Sequence, residues 1–299
     1  MTDDVVLGID IGGTRTKWVR WSPKDGVQDQ GEQATPRSGA PDLLSAVAGL
    51  IEDAKVEAVG VAVPGRLSDD LCGIELLPNL PGEWTGPPFA TELEVRTGAQ
   101  VRLINDARAF GLAELRLGAA RQLDDVLFVT MGTGIGGALA LNGRILRARA
   151  DAVGELGHMI CRPGGDPCGC GARGCLETVA GGWALVAQVR ARGGRAETPQ
   201  EVVDAATRAD GSERAVLEEA GRALGLVLGN VVVYTGATTV VIGGGVAPAF
   251  RFMRPAVDAE LAARRRLVGP VDLRLAELGL GAGALGAALT VTYNRDGDT

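Results

Sequence analysis

Apolar residues fall along this chain in short runs separated by amphipathic stretches, and the alternation predicts an α/β protein. Val5 to Asp10, Thr16 to Trp21 and Val27 to Ala34 have the pattern of consecutive strands, Pro41 to Ala54 repeats its apolar positions at helical spacing, and Ala58 to Val63 is a buried strand. A strand over Gln100 to Ile104 leads into a helix over Ala107 to Leu117, and the polar connection Gly118 to Asp125 closes this region. Beyond it the pattern restarts, with strands over Val126 to Thr130 and Ala138 to Leu141, a cysteine-rich segment, three helical stretches and a strand over Thr239 to Ile242. Ser212 is the expected cap of a long helix from Glu213. Gly281, Gly283 and Gly286 read as the start of a terminal helix packed closely against a neighbour, and the acidic tail from Asn294 as frayed.

With 299 residues the chain is long for a single core. The expectation is a small α/β domain over 1–117 and a large one over 118–283, with a helix over about 284–299 packing back on the first. A formal charge of −7, with 30 Lys and Arg spread thinly, argues against a nucleic-acid surface, which needs clustered cations. The uncharged stretch from Ala223 to Phe250 raises the question of a membrane span, but Asn230, Thr235 to Thr239 and Gly243 to Gly245 divide it into a helix, a turn and a strand. No secretory signal precedes the first strand, so the cytoplasm is the expected compartment.

Two glycine-rich turns stand at equivalent places in the two halves. Asp10-Ile-Gly-Gly-Thr14 and Met131-Gly-Thr-Gly-Ile-Gly-Gly137 each follow an apolar strand and precede another. Such turns expose backbone N–H groups that can cradle phosphate; a tight hairpin with no ligand is the competing reading of either one alone. Gly132, Gly134 and Gly137 have Rossmann spacing, but a strand follows where a helix is required. No lysine of the P-loop type follows either turn. Asp10 ends its strand beside the first turn, where a carboxylate can hold hydrated Mg2+ next to phosphate or simply form the turn. Asp106 ends another strand and opens a helix, a position that points into a ligand crevice in α/β proteins and that helix capping explains about as well.

The single histidine, His158, is followed closely by Cys168, Cys170 and Cys175. One imidazole and three thiolates make a complete tetrahedral Zn2+ set. Reducing conditions and the very small ring that a Cys168 to Cys170 bridge would close both disfavour disulfides. Cys161 is a competing ligand that lacks the glycine-rich turn, and Glu155 and Glu177 flank the cluster without being needed in it.

These segments together resemble the ROK family of bacterial sugar kinases and sugar-responsive repressors over nearly the whole chain. Gly-Ile-Asp-Ile-Gly-Gly-Thr resembles that family's first phosphate motif, Asn105-Asp106-Ala107 its catalytic segment, Gly132 to Gly137 its second phosphate motif and Glu155 to Glu177 its zinc-bearing signature. Gly243-Gly244-Gly245 resembles the adenosine-side loop and Asn79-Leu-Pro-Gly82 a sugar-contacting loop. The resemblance implies an actin-like, ribonuclease H-like fold of two α/β domains around a cleft, assembled as a homodimer or homotetramer. It implies Asp106 as general base and Asn79, Asn105, Asp106, Glu155, His158 and Glu177 as sugar ligands. It implies a nucleotide site of Asp10, Gly12, Gly13, Thr14, Lys17, Gly132, Thr133, Gly134, Gly136, Gly243, Gly244 and Gly245. The expected cofactors are ATP, Mg2+ and a structural Zn2+, and the expected reaction is transfer of the γ-phosphoryl group to a hexose, glucose first. N-acetylmannosamine, N-acetylglucosamine, mannose, fructose and allose are the alternative acceptors, and a catalytically silent sugar sensor is the alternative function. A repressor would need a winged-helix region before the first phosphate motif, which begins by Gly8. Three departures from the family pattern flank the expected sugar pocket: Arg108 after Asn-Asp-Ala, Glu83 between Gly82 and Trp84, and a segment from Arg147 to Val153 without the usual glycine-rich lead.

Overall fold

The first glycine turn lies at the centre of a five-stranded sheet. In the computed structural model, which describes residues 4–77 and 88–293, β1 (Val6–Ile11) turns into antiparallel β2 (Arg15–Ser22), and β3 (Gly26–Ala34) completes a meander. α1 (Ala40–Ala54) carries the chain to β4 (Ala58–Val63), which runs parallel to β1. The hairpin β5 (Arg66–Leu67) and β6 (Ile74–Leu76) and then α2 (Phe89–Thr97) lead to β7 (Gln100–Asn105), parallel to β4, and α3 (Asp106–Leu117) follows at once. The sheet order is β3-β2-β1-β4-β7. Burial follows that order: every residue of β4 is buried, whereas β3 turns Gln28, Asp29, Gln30 and Glu32 to solvent. Polar and charged side chains there blunt an open sheet edge. Asn79, expected to touch sugar, and Glu83 lie outside the described residues.

The terminal helix Ala282–Tyr293 covers this sheet at van der Waals range, which identifies the neighbour that its glycines require. A Cβ on Gly8 would stand 1.9 Å from the Ala284 carbonyl oxygen, and one on Gly60 1.8 Å from that of Ala287. From the helix side, a Cβ on Gly286 would stand 1.7 Å from the carbonyl oxygen of Ala109 in α3. Backbone meets backbone at these points, so no side chain fits.

The second sheet repeats the first. β8 (Val126–Met131), antiparallel β9 (Ile135–Leu141) and the short β10 (Arg144–Ile145) form its meander. The cysteine-rich segment, α4 (Glu177–Ala180), α5 (Gly182–Ala191), α6 (Pro199–Arg208) and α7 (Ser212–Thr235) precede β11 (Thr239–Gly243), which is parallel to β8. Finally α8 (Phe250–Ala262) and α9 (Arg265–Val268) lead to β12 (Asp272–Leu275), parallel to β11. The order β10-β9-β8-β11-β12 matches that of the first sheet strand for strand. The long core of this half is filled by α7 and α8, with Leu217, Leu224, Leu228, Phe250, Met253 and Val257 all buried.

The chain divides into two units: Met1–Arg121 with Ile145–Val153 and Leu278–Thr299, and Gln122–Arg144 with Gly154–Glu277. The sequence reading keeps 118–121, 145–153 and 278–283 in the second domain, whereas they group with the first unit. Side-chain bonds from Arg147 and Asp151 to the end of β7 fasten 145–153 there. Ser212 is a second correction. Gly211 holds the cap position of α7, and Ser212, already inside the first turn, directs its hydroxyl to the Glu213 carboxylate. The uncharged 223–250 stretch divides into the second half of α7, a turn at Gly236 and β11. Among the described residues no helix is long and apolar enough to cross a membrane.

Candidate active site

In the first unit, the turn Gly12–Thr14 is closed by its own backbone and fastened from outside. Gly12 N–H donates to the Arg15 carbonyl at 3.0 Å. Thr35, the residue after β3, donates its hydroxyl to the Gly12 carbonyl at 2.7 Å and its N–H to the Thr14 carbonyl at 3.0 Å. Its hydroxyl also lies 3.0 Å from that of Thr16, and both threonines are buried. Sequence reasoning misses this brace, because two threonines at strand positions carry no motif.

Asp10 stands at the C-terminal end of β1, in register with Lys17 on β2. Its carboxylate packs against Gly283, where a Cβ would fall 2.4 Å from Oδ2, and Lys17 donates to the Leu280 carbonyl at 3.0 Å. Burial, then the nearby Asp106 carboxylate, push the Asp10 carboxyl up to about 7 against the opposing pull of Lys17. Two carboxylates whose repulsion is only partly relieved are hard oxygen donors for a divalent cation. This donor set fits Mg2+ held beside phosphate.

Asp106 and Asn105 form the junction of β7 and α3. Asn105 Oδ1 accepts from Ala107 N–H at 2.9 Å and from Arg108 N–H at 3.4 Å, and its Nδ2 donates to the Gly65 carbonyl at 2.9 Å. Both ends of this buried amide are therefore bonded to backbone, with one N–H of its nitrogen beyond the Gly65 bond. It caps α3 and holds the Gly65 turn. Asp106, partly buried, accepts from Ala107 N–H at 2.8 Å. Arg108, the sequence departure, is an almost fully buried side chain of α3.

In the second unit, Gly132 N–H closes its turn on the Gly134 carbonyl at 3.0 Å, as Gly12 does in the first. Glu177 reaches into this turn: its Oε2 accepts Ile135 N–H at 3.0 Å, and a Cβ on Gly134 would lie 2.0 Å from the same oxygen. Gly182 N–H and Trp183 N–H, at the start of α5, donate to the carbonyls of Gly132 and Thr133 at 3.1 and 3.3 Å. Gly136 is a correction, for it lies within β9 opposite Thr130 rather than in the turn. Gly243 ends β11; Gly244 follows at φ 91° with Met131 so near that a Cβ would meet its carbonyl oxygen at 2.4 Å. Val246 N–H bonds that oxygen at 2.8 Å, which joins the Gly243 to Gly245 loop to the end of β8.

His158, Cys168, Cys170 and Cys175 present their ligand atoms within 4.8 Å of one another. His158 Nδ1 lies 3.5 Å from Cys168 Sγ, and Cys170 Sγ lies 3.7 Å from Cys175 Sγ. A tetrahedron with Zn–S of about 2.3 Å and Zn–N of about 2.0–2.1 Å has edges of about 3.6 Å (N to S) and about 3.8 Å (S to S), so the donor set fits Zn2+. Burial raises the Cys168 thiol and pushes that of Cys175 up to about 12, while the Ala172 N–H lowers that of Cys170. A cation bound among them would favour the thiolate forms. The loop depends on Gly174, at φ 76°, where a Cβ would stand 1.7 Å from the Arg162 carbonyl oxygen. Cys161 bonds the Gly174 carbonyl instead and stands outside the cluster. His158 Nε2 faces Glu155, 4.0 Å from Oε2, and Glu155 is exposed.

Two α/β units with one strand order, each carrying a glycine turn between its first two strands, define the actin-like ATPase fold. Residues 6–293 match the ROK family, and the chain belongs to it, among its sugar kinases. Over 186 residues, 60% of this chain and 58% of the relative, it is 36% identical to glucokinase of Thermotoga maritima. It is 33% identical to N-acetylmannosamine kinase of Citrobacter koseri over 95% of this chain and 97% of that one. A solved ROK family glucokinase from Streptomyces griseus, in complex with glucose and AMPPNP, matches with a TM-score of 0.81 at 28% identity over 96% of this chain and 98% of that one.

Proposed function

We propose that this protein transfers the γ-phosphoryl group of ATP to a hydroxyl of a hexose, with glucose as the first acceptor to test. The observation that carries the reading is the pair Asp10 and Asp106, two carboxylates at the ends of β1 and β7 that interact electrostatically beside a glycine turn. Asp106 is the general base, accepting the proton of the attacking hydroxyl. Asp10 holds the cation, and a bound Mg2+ neutralises charge on the phosphate oxygens. Amides of the turns at Gly12 to Thr14 and Gly132 to Gly134 hold phosphate, and the loop Gly243 to Gly245 borders the nucleoside.

Glu155, His158 and Glu177 contact the sugar, joined by Asn79 and by Asn105 through the second N–H of its amide. With Nδ1 of His158 turned to the thiol cluster, Nε2 is the nitrogen directed at substrate. Four protein ligands leave no open position on Zn2+, so the cluster orients His158 and takes no chemical step. The cytoplasm is the compartment that suits thiolate ligands, because reducing conditions there keep them from pairing as disulfides.

Glucose is supported by the glucokinase relative and by the glucose-bound structure, and N-acetylmannosamine by the relative that matches along nearly the full length. A coupled ADP-release assay across a panel of hexoses and N-acetylated hexosamines, repeated after zinc removal, tests the reading. Turnover with none of them would favour the sensor.

A further inference from the structure

Asp151 has no part in the chemistry above, yet its surroundings single it out. Its carboxylate is fully buried, and it follows Ala150 with φ of 51° and 57° respectively, the left-handed region that disfavours any residue with a Cβ. Two such residues in succession persist only where surrounding bonds over-determine them. Those bonds converge on the β7–α3 junction. Asp151 Oδ2 accepts the backbone N–H of Asn105 at 2.8 Å; Arg147 holds the same carboxylate through Nε at 3.1 Å and Nη2 at 3.3 Å, and Nη2 also donates to the Leu103 carbonyl at 3.1 Å.

β7 is the last strand of its sheet, so among the described residues its outer side has no neighbouring strand to bond. The Leu103 carbonyl and Asn105 N–H would otherwise be main-chain groups lost from water without partners. Arg147 supplies a donor for the first and Asp151 an acceptor for the second, and the guanidinium balances the charge of the buried carboxylate. The next residue after Asn105 is Asp106. A further ion pair, Arg149 with Asp69, ties the same segment to the loop after β5.

We propose that Asp151, charge-balanced by Arg147, is a positioning residue that fixes the backbone from which Asp106 projects. The proposal rests on the reading of Asp106 as general base. Displacing a reacting group by about 1 Å costs on the order of 100-fold in rate, so loss of the clamp is expected to act on turnover rather than on binding.

The double variant Arg147→Leu/Asp151→Gly removes both charges together and relieves the positive φ. Expected are amide exchange at Asn105 faster by at least about tenfold, kcat lower by about 10–100-fold, and KM for sugar and for ATP within about threefold of wild type. Asp151→Asn keeps an acceptor for Asn105 N–H and is expected to retain most of both exchange protection and kcat; if the double variant does not fold, Asp151→Gly alone is the test, with exchange at Asn105 expected to quicken and kcat to fall together, and either one unchanged overturns the proposal. An unchanged kcat in the double variant, or a lower kcat with unchanged exchange at Asn105, overturns the proposal. Absence of hexose kinase activity in the wild-type chain overturns the kinase reading and this proposal with it. An active wild type, an inactive Asp106→Asn and a fully active double variant overturn this proposal alone.

Discussion

The Asp106 carboxylate is second only to burial in raising Asp10 from 3.8 to about 7. The folded chain therefore holds a proton that the unfolded chain has released over the interval between those values. Stability is fully present below about pH 4, falls as pH rises by at most about 1.4 kcal/mol per pH unit, and levels off above about pH 7. Denaturant midpoints measured from about pH 4 to about pH 8 without Mg2+ are expected to show this decline, and Asp10→Asn to remove it. A decline that survives in Asp10→Asn belongs to other groups.

Replacing the base tests the chemistry most directly. Asp106→Asn keeps size and polarity but cannot take a proton, so turnover is expected to fall by about 10²–10⁴-fold with sugar affinity by calorimetry within a few-fold of wild type. Near-normal turnover would remove Asp106 from the role.

Gly134→Ala places a methyl 2.0 Å from Glu177 Oε2 and must break the bond to Ile135 N–H or shift the turn. ATP affinity and sugar affinity are both expected to weaken, by about tenfold each, roughly one lost charge-assisted hydrogen bond. Equilibrium binding of AMPPNP and of glucose, measured separately, distinguishes a loss confined to one ligand.

Cys170→Ser removes the exposed thiolate of the cluster. Expected are less than one zinc per chain by elemental analysis and weaker sugar binding, because His158 loses the ion that sets its ring. Full zinc occupancy in the variant would show that Cys170 is no ligand.

Gly286→Ala would normally stabilise a helix, by about 1 kcal/mol. Here the added methyl meets the Ala109 carbonyl oxygen at 1.7 Å. A net loss of about 1–3 kcal/mol is expected in chemical denaturation.

What could be read from sequence was local in the chain. The His158 to Cys175 ligands lie in one segment, the glycine turns announce themselves by composition, and Asp10 and Asp106 are marked by the strands they end. What escaped is long-range: Glu177 to Ile135, Asp151 to Asn105 and Thr35 to Gly12 join strands and loops far apart in sequence. No periodicity encodes which loop comes to rest against which. Gly136 was misplaced for a related reason. A glycine inside a strand looks like a turn glycine until its neighbours are known, and next to it Gly137 proves to be required by the Gly154 carbonyl, 2.6 Å from where its Cβ would be. Asn105 shows the converse, since capping and ligand binding call for the same residue type, and its bonds to Ala107 and Gly65 establish the structural role alone.

The helix Ala282–Tyr293 has a consequence during synthesis. It covers strands that begin at Val6, with Gly8 and Gly60 pressed to its backbone. At about 5–20 residues per second, a ribosome makes that helix on the order of tens of seconds after β1. Through that interval the face of the sheet that carries Gly8 and Gly60 has emerged without its cover, so the first sheet cannot complete its packing until the last described helix has been made.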